Sequence, residues 1–432
     1  MEKHEEPPRR LSPTRLLTGL LVAVALILIP LLYLNILFSV LDDLDNKEWG
    51  GADFTAYYTA AKLIRNGISP YDEAAFGGEA QSLGFRNDRP YIYMPPLAIS
   101  LIPLTLLPPR EAATVWFTAN VVLLVMSTLL MVRTLGIENH KIAVVALLLA
   151  VLTFYPAVFS IFVGQANVLL LALVTLTWHL AKRGSDELAG ISIAAASLVK
   201  IFPFCIVLYF LWKGRYRFFV CALSALVILT AFGVATVGLE PHVTYVSSVL
   251  PTQLVKPHPL NQSLSSFLYR AIEPDQPRDL VLWRVASLSA SAILVLGTVL
   301  LIPRTSRNTA FLDLEFALVV VSMLLVSTVS WIGTLTLLVI PFGAVTKELL
   351  AYERWRDVSL ALVMTGVSFF CVNLQRAVES YITAGSIAGP IASGLLSMPT
   401  YGMIVLWFTV GYLLLRRRGG HFTRSDDMET SA

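Results

Sequence analysis

The sequence predicts an all-α polytopic membrane protein, and three observations carry that reading. Only 14% of the 432 residues are charged while 56% are hydrophobic, against about a quarter charged in a soluble domain. Mean hydropathy is +0.70. The apolar residues fall in long runs bounded by charges, Gly or Pro, whose lengths suit helices rather than the alternating strands of a membrane barrel. A water-soluble globular, disordered or fibrous chain is excluded. A net charge of +3 gives no reason to invoke nucleic acid. Cys205, Cys221 and Cys371 lie inside apolar runs and read as buried thiols, without a CxxC, a disulfide framework or a zinc site.

The first run, Leu16 to Val40, is uncharged and longer than a signal peptide's apolar core of about 7–15 residues, so it reads as an uncleaved span. Further runs cover 111–132, 142–162, 167–181, 188–212, 217–239, 279–302, 312–329, 331–346, 358–375 and 398–415. Basic residues set the orientation. Arg9, Arg10 and Arg15 precede the first span. Lys182 and Arg183, then Lys213, Arg215 and Arg217, then Arg304 and Arg307, Lys347, Arg354, Arg356 and Arg416 to Arg418 flank later ones. With these on the cytoplasmic side, residues 1–15 and 416–432 are cytoplasmic tails. Residues 16–415 form one membrane domain, with 41–110, 240–278 and 376–397 outside.

The run 188–212 has basic clusters at both ends, which a single span would put on opposite faces. Lys200 and Pro203 divide it into halves of about 12 residues, each reaching only about 18 Å as helix, short of a core of about 30 Å. The segment therefore reads as a bent or re-entrant hairpin with Lys200 near its apex. Counting it as a short pair gives about 12 membrane elements. In the first outer loop, Asp53 to Asn66 reads as a helix stopped by Gly67 and Pro70. The stretch Pro95 to Leu107 reads as one helix lying on the outer surface.

No P-loop, GxSxG, HExxH or dinucleotide fingerprint is present. Attention falls on polar residues at membrane depth or on the outer face, where they are costly. Asp53 opens the first-loop helix with Tyr57 one turn on. It reads either as a general base or as the helix N-cap. Gln165 and Asn167, beside Gly164, suit sugar hydroxyls or helix capping. Lys200 reads as a phosphate partner or a snorkelling side chain. Gln262, Ser266 and Arg270 can share a helical face after Asn261, with Arg270 suited to phosphate; the alternative is an ordinary polar loop. Trp331 reads as a site residue or an interfacial anchor, and Trp178, His179 and Lys182 as anchors at an inner end. His242 and His258 are lone, so no metal site is expected.

Taken together and in order, these pieces resemble glycosyltransferase family 87, enzymes of the GT-C fold class. The stretches are Asp53-Phe-Thr-Ala-Tyr57 running to Gly67 and Pro70-Tyr71, Tyr93-Met-Pro95-Pro96-Leu97, Gly164-Gln165-Ala166-Asn167, Leu198-Val-Lys200 with Pro203, and Asn261-Gln262-Ser263-Leu264. The resemblance runs from about residue 14 to 415. It implies a GT-C-type bundle and inverting transfer of a hexose, typically mannose, from a polyprenyl-phosphate donor to a lipid-linked or surface glycan. That places the protein in the bacterial plasma membrane with its active site on the outer face. It implies no metal and no cofactor, and it gives Asp53 the base's position. Many members carry His after the late Ser-Trp; here Ser330-Trp331 is followed by Ile332-Gly333-Thr334-Leu335. In this reading Lys200 and Arg270 hold the donor phosphate, and Tyr57, Gln165, Asn167, Asn261, Gln262 and Trp331 meet sugars. Two other classes compete. A transporter or lipid flippase calls for inverted repeats and midplane polar residues, whereas the polar residues here cluster in outer loops. The missing His keeps a catalytically inactive scaffold in play.

Overall fold

At membrane depth a backbone must satisfy its own N–H and C=O groups, so the apolar runs are helical. The computed structural model describes residues 13–46, 50–85, 89–254, 258, 260–304, 311–352, 358–378 and 389–418. Residues 1–12 and 419–432 of the expected tails, and 379–388 of the expected outer segment, lie outside them. In chain order the helices are α1 (Pro13–Asn46), α2 (Ala52–Arg65), α3 (Glu73–Ser82), α4 (Pro95–Ser100), α5 (Pro109–Leu135), α6 (Lys141–Leu152), α7 (Tyr155–Val163), α8 (Asn167–Lys182), α9 (Asp186–Val199), α10 (Phe204–Trp212) and α11 (Tyr216–Val237). They continue as α12 (Glu240–Thr244), α13 (Leu250–Leu254), α14 (Leu264–Ile272), α15 (Pro277–Leu301), α16 (Leu312–Val326), α17 (Val339–Ala351), α18 (Ser359–Asn373), α19 (Gly389–Leu396) and α20 (Met398–Arg418). Among the described residues no strand forms; Asn261 and Trp331 make an isolated antiparallel bridge.

Seven helical segments are long and apolar enough to cross a membrane, or eight if α6 and α7, bent by 44°, form one span. The expected total of about 12 is not reached on that measure. Helices α8, α9, α10 and α16 are shorter than the roughly 20 residues a span needs. The segment Ile332–Ala351 lies at the centre with 72% of its apolar window buried, whereas the α15 window is 11% buried and presents its side chains outward.

The run 188–212 breaks at Lys200, which is extended at φ −147° and ψ 142° beyond the end of α9. Arg215, just before α11, donates to the Asp186 carboxylate at the start of α9 and to the Ala181 carbonyl at the end of α8. Both ends of the α9–α10 pair therefore meet at one end of the bundle. Lys200, at the turn, reaches Asn167 at the opposite end of α8. The short pair thus spans the length of α8 and returns.

Charge gathers at the Arg215 end. Asp313, in the first turn of α16, is 1% exposed and lies 2.8 Å from Lys182 and 2.9 Å from Lys347. Glu315 is held by Lys213 at 2.9 Å and accepts from the Tyr209 hydroxyl at 2.9 Å. A buried carboxylate needs such partners; removing one costs about 3–5 kcal/mol. This corrects the anchor reading of Trp178, His179 and Lys182. Trp178 is fully buried, stacks on Phe316 at 5.7 Å and donates to Asp313. His179 meets the Thr134 hydroxyl at 2.9 Å.

Two smaller expectations change. The stretch 95–107 is not one helix: α4 gives way to a 3-10 turn over Ile102–Leu106, because Pro103 lacks an N–H and crowds the preceding turn. Its Leu97, Ala98, Leu101 and Thr105 are buried, so it packs into the protein. Of the three thiols read as buried, Cys371 is; Cys205 is exposed and Cys221 partly so.

Candidate active site

The site is built where α1 hands over to α2. The Gly50 amide donates to the Asp43 carboxylate at 2.8 Å. Gly51, at φ 70°, caps α2 and donates its N–H to the Phe162 carbonyl at 2.8 Å. Gly164 ends α7 at φ 79°, a conformation that favours glycine. A Cβ there would lie 2.7 Å from the Cβ of Phe54. Trp116 donates its indole N–H to the Gly164 carbonyl at 2.9 Å. The first turn of α2 is thereby fixed against the end of α7.

Asp53 sits inside that first turn, after Ala52, and does not cap the helix; the cap is Gly51, with no side-chain cap bond. The capping explanation of Asp53 fails on this geometry. Its carboxylate borders a cavity of about 300 Å³ walled by Tyr57, Arg89, Tyr93, Phe159, Gln165 and Trp331, among others. The side chain is 16% exposed, and Arg89 lies 3.6 Å away. Burial pushes the Asp53 carboxyl above its ordinary range. The Arg89 charge, a hydrogen bond from Gln165 and the more distant Lys200 pull it back part of the way. Tyr57 is fully buried, sets its ring edge-on to Tyr93 at 5.0 Å and accepts from the Ala166 N–H at 3.4 Å.

Behind Asp53 runs a chain of side chains. Gln165 bonds Asp53 and accepts from the Asn167 amide. Lys200 donates to the Asn167 oxygen at 2.7 Å and to the Thr334 hydroxyl at 3.0 Å. Gly333 lets the 3-10 turn Ile332–Leu338 come this close: a Cβ there would fall 2.2 Å from the Gln165 oxygen and 2.8 Å from the Asn167 nitrogen. The residues after Ser330-Trp331 thus lock the amide pair and the hairpin lysine together.

The second group of candidates sits differently. Asn261 and Gln262 are fully buried. The Asn261 oxygen accepts from the amides of Ser263 and Ser330, and its nitrogen donates to the Thr328 carbonyl. Gln262 donates to the Leu396 carbonyl and accepts from the Thr400 hydroxyl. It precedes α14, whose N-cap is Ser263, so it does not share a helical face with Ser266 and Arg270. Arg270 donates to Ser397 at 2.9 Å and to the Asn261 carbonyl at 2.8 Å. These three brace the loop that pairs with Trp331. Trp331 itself borders the cavity and packs on His258 at 4.7 Å.

The structure therefore gathers Asp53, Tyr57, Gln165 and Trp331 around one cavity, with Asn167 and Lys200 linked behind. It adds Arg89, which the sequence did not single out, and Tyr93, His258 and Thr334, which were named there without a role in the site. Arg89 closes the polar stretch Arg86-Asn87-Asp88-Arg89, with no period to flag it; Thr334 was visible only as a place where His is missing. Asp72, a second carboxylate of the same outer loop, beside Glu73, caps α3 and accepts from the Ala75 N–H at 3.0 Å.

Comparison with known families now bears on this site. The profile of glycosyltransferase family 87 matches residues 91–328, more than half of the 432-residue chain. The matched stretch carries Gln165, Asn167, Lys200, Asn261, Gln262 and Arg270, while Asp53, Tyr57 and Trp331 lie outside it. No curated protein matches the chain.

Proposed function

The chain belongs to glycosyltransferase family 87, and on that premise we propose that this membrane glycosyltransferase works by inversion, moving a hexose, mannose first among them, from a polyprenyl-phosphate donor to a lipid-linked or surface glycan. The face is non-cytoplasmic and the membrane a bacterial plasma membrane. No cofactor enters the proposal. Asp53 is the general base. The acceptor hydroxyl passes its proton to a carboxylate oxygen of Asp53 as its own oxygen bonds the anomeric carbon. The bond from that carbon to the phosphate oxygen breaks, and the electron pair leaves with the polyprenyl phosphate. Attack opposite the leaving group inverts the centre.

The supporting observation is the Asp53 carboxylate, bordering a cavity beside Arg89 and tied through Gln165 and Asn167 to Lys200. Lys200 and Arg89 are the cations assigned to the leaving phosphate. Tyr57, Gln165 and Trp331 are assigned to the sugars. Asn167 orients Gln165 and Lys200, while Asn261, Gln262 and Arg270 hold the Trp331 loop.

The test is product analysis with purified protein, defined polyprenyl-phosphate sugars and a membrane-extract acceptor pool, on wild type and Asp53→Asn. Losing a general base costs roughly 10²–10⁴-fold in rate, and the variant should lose that much. Burial raises the folded-state pKa of Asp53, so above the unfolded value its ionised form costs stability. The neutral amide removes that cost, and the variant's melting temperature should equal or exceed that of wild type. Transfer by Asp53→Asn within about threefold of wild type, far outside the base-loss range, would rule Asp53 out as the base.

A further inference from the structure

A second depression adjoins the cavity. It is a groove of about 1020 Å³, bordered by α3 on one side and by Thr244, Ser248, Val249 and Thr252 of the 240–254 segment on the other. Pro90 and Ile92 border both spaces. Tyr91, between those two residues, lines the groove, and Arg89 and Tyr93, on either side of them, line the cavity. One short stretch of chain is the partition.

The rings of Tyr71, Phe76, Phe85 and Tyr91 make the floor of the groove. Tyr71 lies 5.8 Å from Tyr91 and 6.2 Å from Tyr245. Its hydroxyl donates to the Tyr93 carbonyl, which ties the floor to the partition. The edges carry hydroxyls, an amide and a carboxylate, from Thr244, Ser248, Thr252, Gln81 and Glu73. No Lys or Arg is among the described residues that line it, in contrast to the cavity with Arg89. Among those described residues a phosphate finds no counter-charge. Neutral sugar rings fit instead: their C–H faces pack on aromatic surface, and their hydroxyls exchange hydrogen bonds with the edges. The volume reaches the upper range of small-ligand pockets, about 1,000 Å³, room for several rings.

We propose that the groove is an acceptor subsite, holding the sugars of a neutral glycan that lie beyond the one whose hydroxyl reacts. The inference rests on the transferase reading above. It makes the enzyme one that extends an existing oligosaccharide.

Two glycines of α3 provide the test. Gly77 lines the groove and Gly78 does not. Both are exposed, and a Cβ at either meets nothing within 4 Å. They point about 100° apart around the helix. Replacing a helical glycine raises helix propensity, so Gly77→Trp and Gly78→Trp should both fold, which a melting curve checks. The probes are methyl α-mannoside and α-mannotetraose. Gly77→Trp should weaken tetrasaccharide binding, measured calorimetrically without donor, by about tenfold or more. In turnover it should raise KM for the tetrasaccharide and leave KM for the monosaccharide and the donor unchanged. Gly78→Trp should change none of these. Equal tetrasaccharide binding by wild type and Gly77→Trp would overturn the groove, as would a raised donor KM in its place. Absence of transfer by wild type to either probe, with the binding difference intact, would count against the transferase reading and not against the groove.

Discussion

A carboxylate works as a base only if it is ionised at the working pH yet held loosely enough to accept a proton. If Asp53 is that base, opposed forces set its proton affinity: burial raises its pKa, while Arg89, Gln165 and Lys200 lower it. The base form exists above the folded-state pKa. The acid limb of kcat/KM should therefore lie above the ordinary carboxylate range. Arg89→Gln removes the largest lowering influence, so the acid limb should move to still higher pH. Arg89→Lys keeps the charge and should bring it back toward wild type. A pH series on the three proteins reads this directly. An acid limb that stays put in Arg89→Gln, while the rate falls at every pH, would leave Arg89 a substrate contact with no hold on Asp53.

Among the elements, the hairpin was the most legible. A lone lysine and a proline in an apolar run, with basic clusters at both ends, left few ways to thread the chain, and the break falls at Lys200. Helix α2 was legible to within a residue at each end, because Gly51 starts it and Gly67 stops it. The partners were not legible. Lys200 meets Thr334, 134 positions away, and Asp313 sits unannounced in an apolar run, where only the fold reveals Lys182 and Lys347 around it. An amide in sequence looks the same whether it faces a ligand or its own backbone; Gln165 borders the cavity and Asn261 does not. Lys200→Met tests the hairpin's role. It strips the donor from the buried Asn167 oxygen, and an unsatisfied buried group costs about 1–3 kcal/mol, so the melting temperature should fall. If the lysine also serves the donor phosphate, donor KM should rise. A lower melting temperature with unchanged donor KM would make Lys200 a lock between α8, the hairpin and the 332–338 turn, and no more.

On the scale of the whole molecule, the two ends of α8 divide the labour. Asn167 opens it beside the cavity, and Lys182 closes it among buried ion pairs. The second end also carries Lys213, Arg215, Lys347 and the basic last turn of α20, where Arg417 bonds Glu348. Basic residues concentrate on the cytoplasmic side of membrane proteins, so the proposed sidedness puts the cavity and the groove outside. Thiol labelling can decide it. In a background with Cys205, Cys221 and Cys371 replaced, single cysteines would go at exposed positions: Ser82→Cys at the end of α3, Asp275→Cys before α15 and Arg217→Cys at the start of α11. A membrane-impermeant maleimide on intact cells should label the first two and spare the third until the cells are opened. Labelling of Arg217→Cys from outside would invert the protein and put the reaction on the cytoplasmic face. Opposite behaviour of Ser82→Cys and Asp275→Cys would be more damaging. The loop from Asn261 to Arg270, with its bridge to Trp331, reaches the Asp53 cavity only if both loops emerge on one face, so a split result would dissolve the site itself.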